Sequence, residues 1–376
     1  MSFILVLLVI VVALVFEFIN GFHDTANSIA TVVATKVLSP TQAVALAAFT
    51  NLLGALWGTA VAKTIASGLV DTGIVAVTPQ VLICALLGAI IWDLITWWWG
   101  LPSSSSHALV GGLCGAALAA AGDNWSSIIW WQGGDHWWHG KGLLPKVVLP
   151  MFSSPLLGFV LGFLIMGLIF ALVSWLASRS GFLQKLGRPR FLNGLFGKAQ
   201  ILSASAMGLS HGMNDAQKTM GIIALALFGA TSAGALEGLP HWMDFLRVEA
   251  EAGQEFGIAI WIKVLCAITM AAGTAMGGWR IIRTLGHKLV KLHPVNGFAA
   301  ETASASVILA ASHFGIPVST THNISSAIMG VGAAKRFSAI KWTVVERMVW
   351  AWLLTIPVTG VIAWLLVRLL QVFDLV

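Results

Sequence analysis

Long apolar runs with almost no charge follow one another along the whole chain, and they restrict its fold more than any other feature. Hydrophobic residues make up 58% of the 376 residues and charged residues only 10%. A soluble domain carries roughly 25% charged residues, so this chain lacks the polar side chains that would cover a water-exposed surface. A helix needs about 20 apolar residues to cross a bilayer, and runs of about this length lie at 3–20, 41–62, 81–99, 147–176, 258–278, 297–314 and 348–370. Shorter or interrupted runs lie at 22–36, 103–120, 201–213 and 217–232.

These runs favour helices over a membrane-spanning barrel. An isolated apolar run satisfies its own backbone hydrogen bonds only as a helix. The alternating polarity of a transmembrane barrel is absent from the sequence. We therefore predict an all-α polytopic membrane protein, with roughly 10–12 membrane segments that include broken or re-entrant helices.

Two short polar motifs are duplicated inside this apolar sequence. The first occurs as GFHDTANSIA from residue 21 and as GMNDAQKTMG from residue 212, which places Asp24 opposite Asp215 and Asn27 opposite Lys218. The second occurs as GLPSSSSH from residue 100 and as GIPVSTTH from residue 315. Polar residues are costly in lipid and rarely lie there without a function. Their repetition indicates an internal repeat, which in a membrane protein points to a transporter.

Loop charge predicts how the chain is oriented. Basic loops are retained in the cytoplasm, and three stretches are strongly basic: 178–199, 279–296 and 335–347. Two stretches are charge-balanced and one is acidic, and we place all three outside: 63–80, 121–146 and 233–257.

The loops beside the serine-rich motif and its second copy therefore face opposite sides. This arrangement predicts an inverted-topology repeat, with residues 1–177 as the first repeat and 200–376 as the second. Residues 178–199 would form a basic cytoplasmic linker, and both termini would lie outside the cytoplasm.

The hydroxyl-rich motifs have the composition of an anion site. In each, an apolar run ends at Gly-Leu-Pro or Gly-Ile-Pro, and we expect a short helix to start at once with the hydroxyl residues. A helix start inside a membrane offers unpaired N–H groups and a positive dipole end. The residues that would open these helices are Ser103–Ser106 and Ser319–Thr321, and two such starts brought together by inverted symmetry would hold one tetrahedral anion between them. The alternative is that these side chains only cap kinked helices.

The aspartate motifs have the composition of a cation site. Asp24, Asn27 and Thr31 follow helical spacing, and their oxygens suit a hard cation such as sodium, while a carboxylate can also carry a proton. In the second copy Lys218 replaces the amide, so its ammonium would occupy the place of a mobile cation, or would pair with Asp215 or with the anion. We hypothesise that the two copies do not bind the same coupling ion.

His107 and His322 directly follow the hydroxyl residues. Because histidine titrates near neutral pH, the two could relay protons. A structural hydrogen bond across the repeat is an equally good interpretation.

Other metal or nucleic-acid sites have little support. Asp135, His136 and His139 could bind a metal at the surface, but their spacing is not diagnostic. The three cysteines lie in apolar runs without ligand spacing. The net charge of +6 comes from loops beside membrane spans, so it reports orientation rather than nucleic-acid binding. We expect no cofactor and no firm metal site, only a coupling cation, proton or sodium.

The motifs NGFHDTANSIAT, GLPSSSSH, SHGMNDAQK and GIPVSTTH resemble, in order and context, those of the inorganic phosphate transporter (Pit) family, most closely its low-affinity bacterial members. The resemblance covers nearly the whole chain. It implies cation-driven secondary transport of inorganic phosphate across the plasma (inner) membrane. By the same resemblance, six hydroxyl residues would hold the anion: Ser104, Ser105, Ser106, Ser319, Thr320 and Thr321. The coupling-ion side would be formed by Asp24, Asn27, Asn214 and Asp215.

Two departures from the family pattern bear on the coupling ion. Sodium-coupled members tend to have Gly-Ala-Asn-Asp with a following asparagine in both copies, whereas this chain has His23 in the first and Gln217-Lys218 in the second. This resembles the bacterial branch that is thought to use protons and to accept complexes of phosphate with a divalent metal. Whether the chain forms a homo-oligomer is left open.

Three other functions compete with a phosphate symporter. A sulfate permease of the same fold would bind another tetrahedral oxyanion. A membrane-embedded hydrolase would use Ser106 with His107 or with a distant histidine, but one nucleophile and one base need no second copy, so we expect no enzyme. A gated anion channel would conduct without accumulating its ion.

Overall fold

The protein is almost entirely helical. A computed structural model describes residues 3–136, 140–180, 182–248 and 257–374, and in them there are no strands beyond two isolated bridges. The helices are α1 (Phe3–Ala34), α2 (Pro40–Ala55), α3 (Ala60–Ser67), α4 (Pro79–Trp99), α5 (Ser105–Ala120), α6 (Leu149–Ala177), α7 (Phe182–Leu186), α8 (Pro189–Ser232), α9 (Ile260–Met276), α10 (Trp279–Arg283), α11 (Pro294–His313), α12 (Thr320–Lys335) and α13 (Trp342–Val372). A π-helical turn, Leu144–Val148, leads into α6, and another, Thr284–Leu289, continues α10.

The prediction of an all-α polytopic membrane protein is confirmed. Four helical stretches are long and apolar enough to cross a membrane: α1, α4, α13, and α6 with the turn before it. The number rises to six if two bent pairs count as spans: α2 with α3, bent by 71°, and α9 with α10 and its continuation, bent by 57°. The larger number of 10–12 segments also needs α5, α8, α11 and α12, which are short or polar, and it stays a prediction.

Two pairs of runs that look interrupted in the sequence are single helices. The runs 3–20 and 22–36 both lie in α1, and the runs 201–213 and 217–232 both lie in α8. A helical glycine costs only about 1 kcal/mol, so Gly21 and Gly212 do not break these helices. Helix α8 also begins at Pro189, inside the predicted linker 178–199, and the division of the chain into two repeats stays a prediction.

The breaks before α5 and α12 occur where the sequence predicts them. Gly100 and Gly315 adopt φ values of +64° and +63°, which glycine reaches without steric cost. Ser104 and Ser319 cap the new helices, their Oγ atoms accepting the backbone N–H groups of His107 at 3.2 Å and of His322 at 3.1 Å.

The new helices start later than expected. The sequence predicts proline in the first turn and helix from the first hydroxyl residue, but both prolines precede the caps. Proline disfavours helical conformation in the residue before it, which keeps Leu101 and Ile316 out of a helix, and the new helices begin directly after the capping serines Ser104 and Ser319.

The elements of the two halves pack reciprocally. Helix α5 packs on α13 while α12 packs on α6, and α2 packs on α8 while α9 packs on α1. The long helices α1 and α8 also contact each other. This arrangement brings both aspartate motifs and both hydroxyl motifs to the middle of the molecule.

Candidate anion and cation site

The six hydroxyl residues are all buried, at no more than 4% exposure. Two of them, Ser104 and Ser319, accept backbone hydrogen bonds as helix caps. Ser105 Oγ has no hydrogen-bond partner among the described residues. Its hydroxyl group, at the start of α5, is therefore able to bond to a ligand.

The aspartate motif of each half reaches the hydroxyl run of the other half. Asn27 Nδ2 donates to Thr320 Oγ1 at 3.1 Å and to Thr321 Oγ1 at 2.9 Å. Lys218 Nζ donates to Ser106 Oγ and to the carbonyl oxygen of Val318, the latter at 3.3 Å. Residues 27 and 218 are equivalent in the two motifs, so each half contributes a side chain that bonds to the hydroxyl run of the other half. We call this arrangement the exchange between the halves.

The two aspartates face the same hydroxyl run. Asp215 accepts hydrogen bonds from Lys218 and, at 2.9 Å, from Thr320 Oγ1. Asp24 accepts one from Thr321 Oγ1 at 3.4 Å, and the ring nitrogen Nδ1 of His23 lies 2.7 Å from its Oδ1. The carboxylates are buried, so each depends on these donors to stabilise its charge.

A histidine completes a potential cation site. His211 Nε2 lies 3.0 Å from Asp215 Oδ2. Within the described part of the chain, ligand atoms of Asp24, His211 and Asp215 lie within 4.8 Å of one another. Two carboxylates suit a hard cation, and an added imidazole nitrogen also suits a divalent transition metal. In the sequence His211 only flanks the second aspartate motif, and its approach to Asp24 on α1 cannot be read from spacing.

His107 and His322 lie side by side. Their ring centroids are 4.8 Å apart with the planes at 70°, and His322 also stacks on Trp352 at 4.1 Å. Trp352 Nε1 donates to the carbonyl oxygen of Pro102 at 2.9 Å. The stacking supports a packing role at this crossing, and a proton relay stays a prediction.

Two predicted cation-side residues do not join the aspartates. The Thr31 hydroxyl donates to Glu301. Asn214 Nδ2 donates to Ser312 Oγ at 2.9 Å and to the carbonyl oxygen of Ile316 at 3.2 Å. These two hydrogen bonds fix the chain at the break between α11 and α12. Both side chains therefore have structural partners elsewhere, although they lie in the motifs.

Sequence reasoning missed a supporting pair beside the site. Asn51 Oδ1 lies 3.3 Å from His211 Nδ1, and Asn51 Nδ2 donates to Thr274 Oγ1 at 3.0 Å. Asn51 and Thr274 are polar residues inside long apolar runs, and that position is the sequence signal that could have identified them. Of the proposed surface metal ligands, His139 lies outside the described residues. Three acids of the predicted outer loop 233–257 also lie outside them: Glu249, Glu251 and Glu255.

Similarity to known proteins agrees with this geometry. Residues 20–363 match the phosphate transporter family. The chain is 46% identical to a probable low-affinity inorganic phosphate transporter of Rhizobium meliloti (strain 1021), over 96% of each chain. It is 40% identical to one of Bacillus subtilis (strain 168), over 98% of each. It also resembles a solved structure described as the sodium-dependent phosphate transporter, with a TM-score of 0.76 and 25% identity over 98% of this chain and 99% of that one. This chain therefore belongs to the phosphate transporter family.

Proposed function

We propose that this protein is a symporter that moves inorganic phosphate across the plasma (inner) membrane together with a cation. It is a transporter and not an enzyme, in keeping with its family. The observation that carries the proposal is the exchange between the halves, in which Asn27 and Lys218 each reach the opposite hydroxyl run. One anion at this point would contact both halves at once.

Phosphate would be held by hydroxyl groups and helix starts. Ser105, Ser106, Thr320 and Thr321 lie in the first turns of α5 and α12, where N–H groups and the helix dipole favour an anion. Lys218 supplies a positive charge. On binding, phosphate would replace the present bonds of Lys218 to Ser106 and of Asn27 to Thr321.

The aspartates favour phosphate over sulfate. Near neutral pH phosphate still carries a proton that it can donate, whereas sulfate carries none. Asp24 and Asp215 already accept hydrogen bonds from the hydroxyl run that would line the anion. A carboxylate beside the anion would stabilise hydrogen phosphate and repel sulfate.

The coupling cation would bind at Asp24, His211 and Asp215. Lys218 is bonded to Asp215, so its ammonium takes part of the space and charge that a second sodium ion would need. This asymmetry favours a proton, or a divalent metal that enters with phosphate, over sodium at the second-half aspartate.

Alternating access would follow from an inverted repeat of 1–177 and 200–376. The reciprocal packing of α5 on α13 and of α12 on α6 supports this relation. Because the site residues are buried, the described conformation would be an occluded state between outward-open and inward-open forms. Rocking of the helices around the paired starts would expose the site to each side in turn.

Uptake into proteoliposomes tests the proposal. Sodium and pH gradients are imposed separately, and labelled phosphate is competed with sulfate and with arsenate. We expect accumulation driven by one gradient, strong competition by arsenate and little by sulfate. Competition by sulfate but not arsenate would instead indicate a sulfate permease, and equilibration without accumulation would indicate a channel.

Lys218→Asn tests the asymmetry of the coupling ion, with the exposed Lys341→Asn as the matched control. We expect Lys218→Asn alone to alter the dependence of uptake on sodium or pH. An unchanged ion dependence in a variant that still transports would contradict the assignment. Adding a divalent metal or a chelator separates transport of bare phosphate from transport of a metal complex.

A further inference from the structure

A basic pocket lies away from the central site, where α4 ends against α10. Its volume is about 470 Å³, and it is lined by three cationic side chains, Arg280, Arg283 and Lys288. No acidic residue is among its lining, and none of the three cations forms a salt bridge within the described part of the chain. A concave surface with three uncompensated positive charges attracts anions.

Arg280 is held in a fixed orientation. Its guanidinium carbon lies 4.3 Å from the ring centroid of Trp98 and 5.2 Å from that of Trp97. Its Nη1 donates to the carbonyl oxygen of Trp98 at 2.5 Å. Stacking occupies the face of the guanidinium but leaves its other N–H groups free to donate, an arrangement suited to phosphate oxygens.

Exposed indole rings surround the cations. Trp98 is 61% exposed, Trp99 66% and Trp279 45%, and all three line the pocket. Exposed tryptophans in membrane proteins lie at the headgroup level. The pocket therefore opens where phosphate groups of lipids are found, on the side that the basic 279–296 loop predicts to be cytoplasmic.

The corresponding break in the second half lacks this feature. There Thr64 Oγ1 donates to the carbonyl oxygen of Gly315 at 2.7 Å, as Thr284 Oγ1 donates to that of Gly100 at 2.8 Å. A pocket of about 450 Å³ beside Gly315 is also basic, with Lys63, Lys141, Lys146 and His313 in its lining, but that lining contains no tryptophan and no arginine. The combination of indoles and guanidinium groups thus belongs to one side of the molecule, where anionic lipids are concentrated.

We propose that this pocket is a second anion site that binds a phosphate group, either the phosphodiester of an anionic lipid or free inorganic phosphate. Arg280 and Arg283 would bind the phosphate oxygens, Lys288 would add charge, and the indoles would contact the adjoining apolar groups. Because Thr284 ties the pocket wall to Gly100, the ligand would also fix the segment that leads into the central hydroxyl run.

Binding to the purified protein tests the site without any transport measurement. Native mass spectrometry in neutral detergent measures affinity for phosphatidylglycerol, with phosphatidylcholine as the zwitterionic comparison of zero net charge, and calorimetry measures the stoichiometry of inorganic phosphate. The variant is Arg283→Gln with Lys288→Gln, which leaves Arg280 in its stack. The matched control is Lys335→Gln with Lys341→Gln, two exposed lysines in the neighbouring basic loop.

Each charge near an anionic lipid contributes roughly a fivefold gain in binding. We therefore expect phosphatidylglycerol to bind about 25-fold more weakly to the pocket variant and unchanged to the control. Loss of one phosphate from the calorimetric stoichiometry, with lipid binding unchanged, would identify free phosphate as the ligand. If neither ligand is affected, or if the control weakens equally, the site does not exist.

Discussion

Individual buried carboxylates are stabilised by donors that come from distant parts of the chain. Glu301 on α11 accepts hydrogen bonds from Thr31 on α1, from Ser203 on α8 and, at 3.1 Å, from Gln200 Nε2. Three helices are joined at this one side chain, which the sequence presents only as an acid in an apolar run. The partners of Thr31 could not be predicted because helical spacing places it equally well beside Asp24.

Glu301→Gln should destabilise the protein. The new amide presents an N–H₂ group to donors, so at least one buried polar group loses its partner, at a cost of about 1–3 kcal/mol. The melting temperature of the purified protein should fall, whereas that of the exposed Glu346→Gln should not. Equal melting temperatures for the two variants would contradict this role of Glu301.

Lys218→Met should destabilise the protein more strongly. It removes the ammonium beside Asp215, and breaking a buried ion pair by removal of one partner costs about 3–5 kcal/mol. Adding Asp215→Asn removes the charge as well, so the double variant should regain much of the lost melting temperature. A double variant no more stable than the single one would show that the pair is not what stabilises this crossing.

At the scale of elements, glycines set how closely the long helices cross. A Cβ atom on Gly212 of α8 would overlap the backbone of Asn51 on α2, and one on the equivalent Gly21 of α1 would overlap Met270 on α9. The duplicated motifs therefore carry two kinds of information, polar chemistry and close packing. The close packing could not be predicted from the sequence, because a glycine in an apolar run suggests a break in the helix.

Gly212→Ala should lower stability and, through the displaced α8, transport. Overpacking of this kind costs about 1–3 kcal/mol. Gly167→Ala is the matched control, because a Cβ atom there meets nothing within 4 Å. Thermal unfolding of both variants measures the difference. If neither alanine variant lowers the melting temperature, α2 and α8 can move apart without loss of stability, which would contradict the prediction.

The end of α5 is tied to α13 by an ion pair at the surface. Asp123 accepts hydrogen bonds from Trp364 Nε1 at 2.7 Å and from Arg368 Nη2 at 2.6 Å. The tryptophan hydrogen bond, with the charge of Arg368, lowers the pKa of Asp123 below its ordinary value. A lowered pKa stabilises the fold above the ordinary value, near about pH 4, and this contribution is lost as the pH falls through the lowered one.

Asp123→Asn should therefore reduce the acid sensitivity of the melting temperature below about pH 4. At neutral pH the variant should be slightly less stable than the parent, because exposed pairs contribute little. Asp374→Asn, near the C-terminus, serves as the control. An acid profile identical to the parent's would contradict this role of the pair.

At the scale of the whole molecule, the two halves contribute the same sequence of elements and pack against each other reciprocally. If they are inverted copies, both termini lie outside the cytoplasm and the basic loops lie inside. The three native cysteines are buried, so an introduced cysteine would be the main target of a membrane-impermeant maleimide.

In intact cells, cysteine at Asp374 should be labelled directly, and cysteine at Lys341 only after the membrane is permeabilised. The opposite pattern would reverse the predicted orientation. Labelling of both positions in intact cells would refute placement on opposite sides.

The sequence alone determined the membrane environment, the helical class, the duplicated motifs and the two helix breaks. These features depend on composition and local conformational preference, which adjacent residues set. Only the tertiary structure decided which motif residues meet: Asn27 with Thr321, Lys218 with Ser106, and His211 with Asp24, but Thr31 with Glu301 and Asn214 with Ser312. These pairings join residues about 100 to 300 positions apart, and they depend on how α1 and α8 cross the other helices, which no local pattern encodes.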